Sequence, residues 1–188
     1  RRIVAEGHQI GLHTFTHPDL ALHSGTRLTW ELGETQLALA GVAGIHSSLF
    51  RPPYSSTVDA LDDWSWPVTK QAGSEGYLTA FIDKDTDDWK RPGVDAIVKA
   101  AMPDLPGQGE MVLMHDAGGN RAQTLAALPI IIEKLKDQGY TFRTTAEALG
   151  TASANTEVTG YNLWVGKAFV WCTTFSVGLM PWLVATIA

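Results

Sequence analysis

Two histidines four residues apart, His13 and His17, lie in the run Gly11-Leu12-His13-Thr14-Phe15-Thr16-His17-Pro18. Four residues is about one helical turn, so a single turn aims both imidazoles the same way. Two converging imidazoles suit a divalent metal such as zinc. Pro18 argues against a long helix running through the pair. A catalytic zinc site also needs a third protein ligand, commonly a carboxylate, and an open position for water, whose pKa the metal lowers to about 7. No unambiguous third ligand is visible; Asp19 is near in sequence but lies past the proline. The plainer alternative is that one histidine caps a turn and the other is exposed. His8, His23 and His46 are scattered and read as ordinary surface or packing residues.

Three further clusters bear on that pair. Arg51 precedes Pro52, Pro53 and Tyr54, and the prolines hold the backbone extended. It is either a surface arginine in a rigid turn or a fixed guanidinium that holds a carboxylate. Tyr54 offers a backbone N–H to an oxyanion and a ring to a sugar face. Asp85, Asp87 and Asp88 crowd beside Trp89. Such a run is usually a solvated loop; packed near Arg51, one acid orients the site instead. Trp89 then gives a flat face for a pyranose. His115 follows Met111-Val112-Leu113-Met114. A histidine at the end of an apolar strand can protonate a leaving amine near neutral pH, or it can be a core-edge histidine satisfied by a carbonyl. Asp116 and Arg121 read as cap and surface residues.

These residues need elements to carry them. Strands are expected at Gln9–Leu12, Ser47–Phe50, Tyr77–Ile82, Glu110–Met114 and Tyr140–Arg143. Helices are expected at Thr26–Val42, Thr57–Ala72 with a break expected at Pro67, Val94–Met102 and Ala122–Gln138, with a short helical stretch at Ala146–Leu149. Apolar strands alternating with helices indicate an α/β fold, a parallel sheet covered by helices. The unusual residues cluster after the strands, at their C-terminal ends, where both an α/β barrel and an open doubly wound sheet place their sites.

The chain has 188 residues and a net charge of -6, so it holds one domain with a real core and shows no basic footprint for nucleic acid. Its one cysteine, Cys172, excludes an intrachain disulfide. It opens on Arg1 in what reads as the tail of a helix, so the native protein is expected to extend upstream, and a signal peptide would be hidden there. The main domain is expected over 1–150, a small polar linker over 151–160 and a transmembrane helix within 161–188. Ala168–Ala188 carries no charge. As a helix it would span about 32 Å, against about 30 Å of hydrocarbon. Tyr161, Trp164 and Trp182 sit near its ends as interfacial aromatics, while Thr173, Thr174, Ser176 and Pro181 weaken the pattern. The alternative is a buried C-terminal helix.

Taken in order, His13-Thr14-Phe15-Thr16-His17, Arg51-Pro52-Pro53-Tyr54, Asp85-Thr86-Asp87-Asp88-Trp89 and Leu113-Met114-His115-Asp116 resemble the polysaccharide deacetylases of carbohydrate esterase family four. Each motif alone is weak; four in this order and spacing are strong. The resemblance implies a distorted (β/α) barrel that removes N-acetyl groups from an N-acetylglucosamine-containing polymer with a divalent metal, expected to be zinc. It makes His13 and His17 metal ligands, Arg51 the residue that holds the catalytic base, and Asp88 the acid paired in that network. Tyr54 matches the residue whose N–H helps the oxyanion, Trp89 and Leu113 match the acetyl and sugar groove, and His115 matches the general acid.

One departure matters. The family's first motif is an adjacent aspartate pair that supplies the general base and the third metal ligand, and no aspartate precedes His13. The sequence therefore looks like an N-terminally truncated deacetylase, inactive as it stands. With its expected membrane helix it looks like the deacetylase part of a membrane deacetylase–glycosyltransferase fusion, its domain outside the cytoplasm. Two other functions fit the residues: a hydrolase of a non-sugar C–N bond, and a catalytically dead sugar-binding or membrane-tethered domain.

Overall fold

The structure is a computed structural model. It describes the backbone of residues 2–23 and 25–187, and the side chains of these residues as far as 177. In chain order the elements are α1 (Arg2–Ala5), α2 (Gly25–Ala43), β1 (Ile45–Ser47), β2 (Leu49–Phe50), α3 (Trp66–Ser74) and β3 (Leu78–Thr79). They continue with β4 (Lys84–Asp85), α4 (Val94–Ala100), β5 (Val112–Leu113), α5 (Ala122–Asp137), α6 (Thr145–Ala148), β6 (Asn155–Glu157) and α7 (Gly160–Ile187). The chain divides into two compact units: Arg1–Ser55, Leu61–Ala80 and Thr144–Ala188 in one, Ser56–Ala60 and Phe81–Arg143 in the other.

In the first unit Leu12 bridges Phe50 in parallel, and β2 runs parallel to β3. Leu12, Leu20, Leu28, Leu32, Phe50 and Ala72 form its core. Leu28 and Leu32 are four apart on α2, which turns one apolar stripe inward. The second unit repeats the scheme. Thr57 bridges Ile82 in parallel, β4 runs parallel to β5, and α4 and α5 close over a core that includes Ile97, Val98, Ala127 and Ile131. Parallel pairs separated by helices are the expected α/β arrangement.

The strands are shorter than the apolar runs promised, and side-chain amides stand in for ladder partners. The Asn155 amide accepts from Ile10 N–H at 2.8 Å and donates to Ile10 C=O at 2.7 Å. Gln36 brackets Ser47 in the same way, accepting from its N–H at 3.1 Å and donating to its C=O at 2.6 Å. Backbone groups that lack a strand neighbour are satisfied by this means.

Several expectations change. Residues expected as a linker form β6, which pairs antiparallel with β1. The strand expected at Tyr140–Arg143 does not form. Tyr140 N–H instead closes the end of α5 on Leu135 C=O at 3.0 Å, and its hydroxyl accepts from Gly107 N–H at 2.8 Å. The helix expected over 57–72 splits into a 3-10 turn at Val58–Ala60 and α3. Pro67 lies in the first turn of α3 and opens it rather than breaking it, because that turn needs no donor from it.

The expected membrane span, within 161–188, falls in part on residues whose side chains are not described. Among the described residues no helix is long and apolar enough to cross a membrane. Thr173, Thr174 and Ser176 each turn a hydroxyl back onto the α7 backbone. The side chains of 178–188 lie outside the described residues. The first half of α7 lies on α2 through a glycine pair. A Cβ on Gly166 would come within 2.6 Å of the Gly41 nitrogen, and one on Gly41 would strike the Gly166 carbonyl. Only glycine permits this approach.

Candidate active site

The histidine pair sits where the chain leaves Leu12. It is not a helical turn. Thr14 and His17 both have left-handed backbones, with φ of 67° and 58°, and the residues between them form a bend. The loop is tied internally: Thr14 Oγ1 donates to His13 C=O at 2.6 Å and accepts from His17 N–H at 3.1 Å. The two rings nevertheless meet, with centroids 4.9 Å apart in an edge-to-face arrangement. His13 Nδ1 lies 2.7 Å from the Arg51 carbonyl. A carbonyl only accepts, so Nδ1 carries the hydrogen and the neutral ring's lone pair is on Nε2, the tautomer typical of a metal-ligating histidine.

Arg51 and Tyr54 belong to the same unit. Arg51 N–H donates to Leu12 C=O at 2.9 Å, so the strand end that carries Arg51 is fixed to the strand end that carries His13. Tyr54 takes a left-handed φ of 64°, beyond buried Pro52 and Pro53. Its hydroxyl is 3.3 Å from His17 Nδ1, and the two rings stack edge to face at 5.1 Å.

Glu31 was not singled out by the sequence, yet it organises this loop. It projects from α2 and is 1% exposed. Its carboxylate accepts from the N–H groups of Phe15 and Thr16 at 2.7 Å each and from the Thr16 hydroxyl at 2.5 Å. Arg27 pairs with it at 2.6 Å. Burial pushes the Glu31 pKa up, but the hydrogen bonds from Thr16 and Phe15 and the Arg27 charge outweigh it, and the net shift is downward.

In the second unit, β5 delivers His115 and the turn after β4 delivers Asp88. Asp88 is fully buried. Its carboxylate accepts from His115 Nδ1 and from His115 N–H, both at 2.8 Å, and from the Thr124 hydroxyl at 2.7 Å. Burial pushes its pKa up; the His115 and Thr124 hydrogen bonds and the His115 charge overcome this and leave it lowered. An ionised carboxylate only accepts, so the His115 hydrogen sits on Nδ1 and Nε2 is the nitrogen able to exchange a proton. Thr124 is a second partner the sequence did not reveal. Asp87 is left-handed at φ 52° and pairs with Lys90 at 2.7 Å, while Asp85 accepts from Asp87 N–H at 2.9 Å; these two acids shape the turn. Trp89 is half exposed, with the Lys90 ammonium 5.0 Å from its ring centroid. Leu113 is buried, and its carbonyl accepts from Thr86 Oγ1 at 2.8 Å.

The His13 and His17 rings lie side by side, and the His13 tautomer is fixed. Among the described residues no group of three or more His, Cys, Asp or Glu is placed to hold a metal, and Asp19 instead caps the next turn, accepting from Ala21 N–H at 3.1 Å.

The polysaccharide deacetylase family model matches residues 1–77. The peptidoglycan-N-acetylglucosamine deacetylase of Bacillus cereus is 34% identical over 149 residues, covering 79% of this chain and 67% of that protein. The chitooligosaccharide deacetylase of Sinorhizobium fredii is 32% identical over 155 residues, 76% of this chain and 68% of that protein. Among solved structures, a pseudoenzyme of family 4 of the carbohydrate esterases (CE4) from Bacillus anthracis matches with a TM-score of 0.66 at 30% identity, over 79% of this chain and 48% of that one. The likeness extends to the fold. On sequence and structure together, the chain belongs to the polysaccharide deacetylase family.

Proposed function

We propose that this domain is a metal-dependent hydrolase that removes N-acetyl groups from an N-acetylglucosamine-containing polysaccharide. The observation that carries this reading is His115, bound through both its ring and its N–H to a buried, ionised Asp88. That ring is held as a proton donor is held, and a departing sugar amine needs a proton. His13 and His17 are the residues that would hold the ion, zinc in this proposal, which supplies Lewis acidity toward the acetamide carbonyl. The Tyr54 N–H is assigned to the developing oxyanion. Arg51 holds the base, Asp88 orients His115, Trp89 receives a pyranose face, and Leu113 supports the acetyl groove. The base itself and the third ligand are assigned to an aspartate pair like that of the family's first motif, which does not precede His13 here.

The relatives' names support the substrate class: one acts on peptidoglycan N-acetylglucosamine and the other on chitooligosaccharides. A wall polymer would put the domain outside the cytoplasm. A second reading, an inactive sugar-binding domain, is favoured by the likeness to a pseudoenzyme.

The test is acetate release from N-acetylglucosamine oligomers, with and without zinc, by this chain and by a longer one that includes any residues encoded before Arg1. Zinc-dependent release by the longer chain alone supports the proposal. Release by this chain as well means that it holds its own base. Release by neither favours the inactive reading.

A further inference from the structure

The loop between the two candidate metal ligands has an unusual problem. Residues 14–17 are neither helix nor strand, so the N–H groups of Phe15 and Thr16 have no ladder to join. Glu31 accepts from both of them and from the Thr16 hydroxyl, at distances of 2.5 to 2.7 Å. Arg27 closes the set, donating to Thr16 Oγ1 at 2.8 Å while it pairs with Glu31. The bonds of Glu31 go to the loop backbone, the Thr16 hydroxyl and Arg27. We infer that Glu31 is a positioning residue: from α2 it holds the backbone between His13 and His17 in the bend that brings their rings together, and so sets the loop's metal affinity. This inference rests on the proposed metal role of the histidine pair.

The chemistry is specific to a carboxylate. Glutamine at this position keeps one acceptor oxygen and replaces the other with a donor, which faces donors. A loop with one N–H left unpaired relaxes toward another conformation, and the ligands separate. Outer supports of metal ligands typically matter tenfold to a hundredfold in affinity.

The experiment titrates the chain with zinc chloride alone, well below the unfolding temperature, and follows heat and the imidazole nitrogen signals of His13 and His17. Amide exchange at Phe15 and Thr16 is read on the metal-free protein. Glu31→Gln is expected to weaken zinc about tenfold to a hundredfold, and to speed exchange at these two amides while leaving core amides such as Ile131 protected. Glu34→Gln on the same helix is expected to do neither. If Glu31→Gln does not fold, Thr16→Val removes one of the contacts and is expected to give a smaller loss in the same direction. Unchanged zinc affinity with a folded variant overturns the inference, as does unchanged exchange at Phe15 and Thr16. If His13→Ala and His17→Ala leave zinc binding unchanged, the metal role itself fails, and this inference with it. If they abolish binding while Glu31→Gln does not, only the assignment of Glu31 fails.

Discussion

Glu31 and Asp88 use one device for two purposes. Each is a buried carboxylate that accepts a threonine hydroxyl and backbone N–H groups, and each is held below the usual carboxylate range by those bonds. Glu31 grips the backbone between two histidines and has Arg27 as its counter-charge. Asp88 grips the histidine ring itself, and its counter-charge is His115 when protonated. A carboxylate on backbone fixes where side chains start; a carboxylate on an imidazole fixes which nitrogen holds the proton. The first arrangement suits ligand placement, and the second suits proton transfer.

The sharpest way to break this comparison is to delete Asp88. Asp88→Ala strands three donors in a closed site, and unfolding free energy in urea should fall by about 3–5 kcal/mol. A loss under 1 kcal/mol would mean that water already reaches the carboxylate. In a protein shown to release acetate, His115→Ala should lower turnover by about 10²–10⁴ with zinc binding intact, whereas His13→Ala should lose both. Loss of zinc from the His115 variant would remove the division of labour between the two carboxylates.

Smaller changes sharpen it. Thr124→Val and Thr16→Val each remove one hydroxyl donor to a buried carboxylate, and each should cost about 1.5–3 kcal/mol by thermal or urea unfolding. Thr124→Val should leave zinc affinity alone. The smallest effect is on the acid limb of stability. Both carboxylates have lowered folded-state pKa values, so their contribution is complete above the unfolded values near 4 and is lost as pH falls through the folded ones. Melting temperature should therefore drop between pH 5 and 2, and the double variant Glu31→Gln/Asp88→Asn should flatten that limb; an unchanged limb would show that other carboxylates govern it.

Sequence spacing brought out the reactive side chains but not what holds them. His13, His17, Asp88 and His115 stand out because their types are rare at strand ends. Glu31 hides among Arg27, Glu34 and Gln36 on a helix that reads as amphipathic. The available signal was its register: three residues after Leu28 and next to Leu32, it lies on the apolar side. Thr124 offers a similar one, in line with Ala127, Ile131 and Leu135 on the buried face of α5. The helical turn expected for the histidine pair failed because nothing in residue type announces a left-handed threonine or histidine. β6 escaped notice because its residues are small and polar and offer no apolar run, although it pairs with β1.

Among the described residues, five other than glycine take left-handed backbones: Thr14, His17, Tyr54, Asp87 and Arg91. Each carries roughly 1–3 kcal/mol of strain that glycine would relieve. A library screened only for thermal tolerance would thus drift toward glycine at these positions, and four of the five lie in the loops that carry the candidate residues. Engineers who want a hardier version of this domain would do well to freeze those four codons and spend their mutations elsewhere, with Arg91→Gly as the first trial.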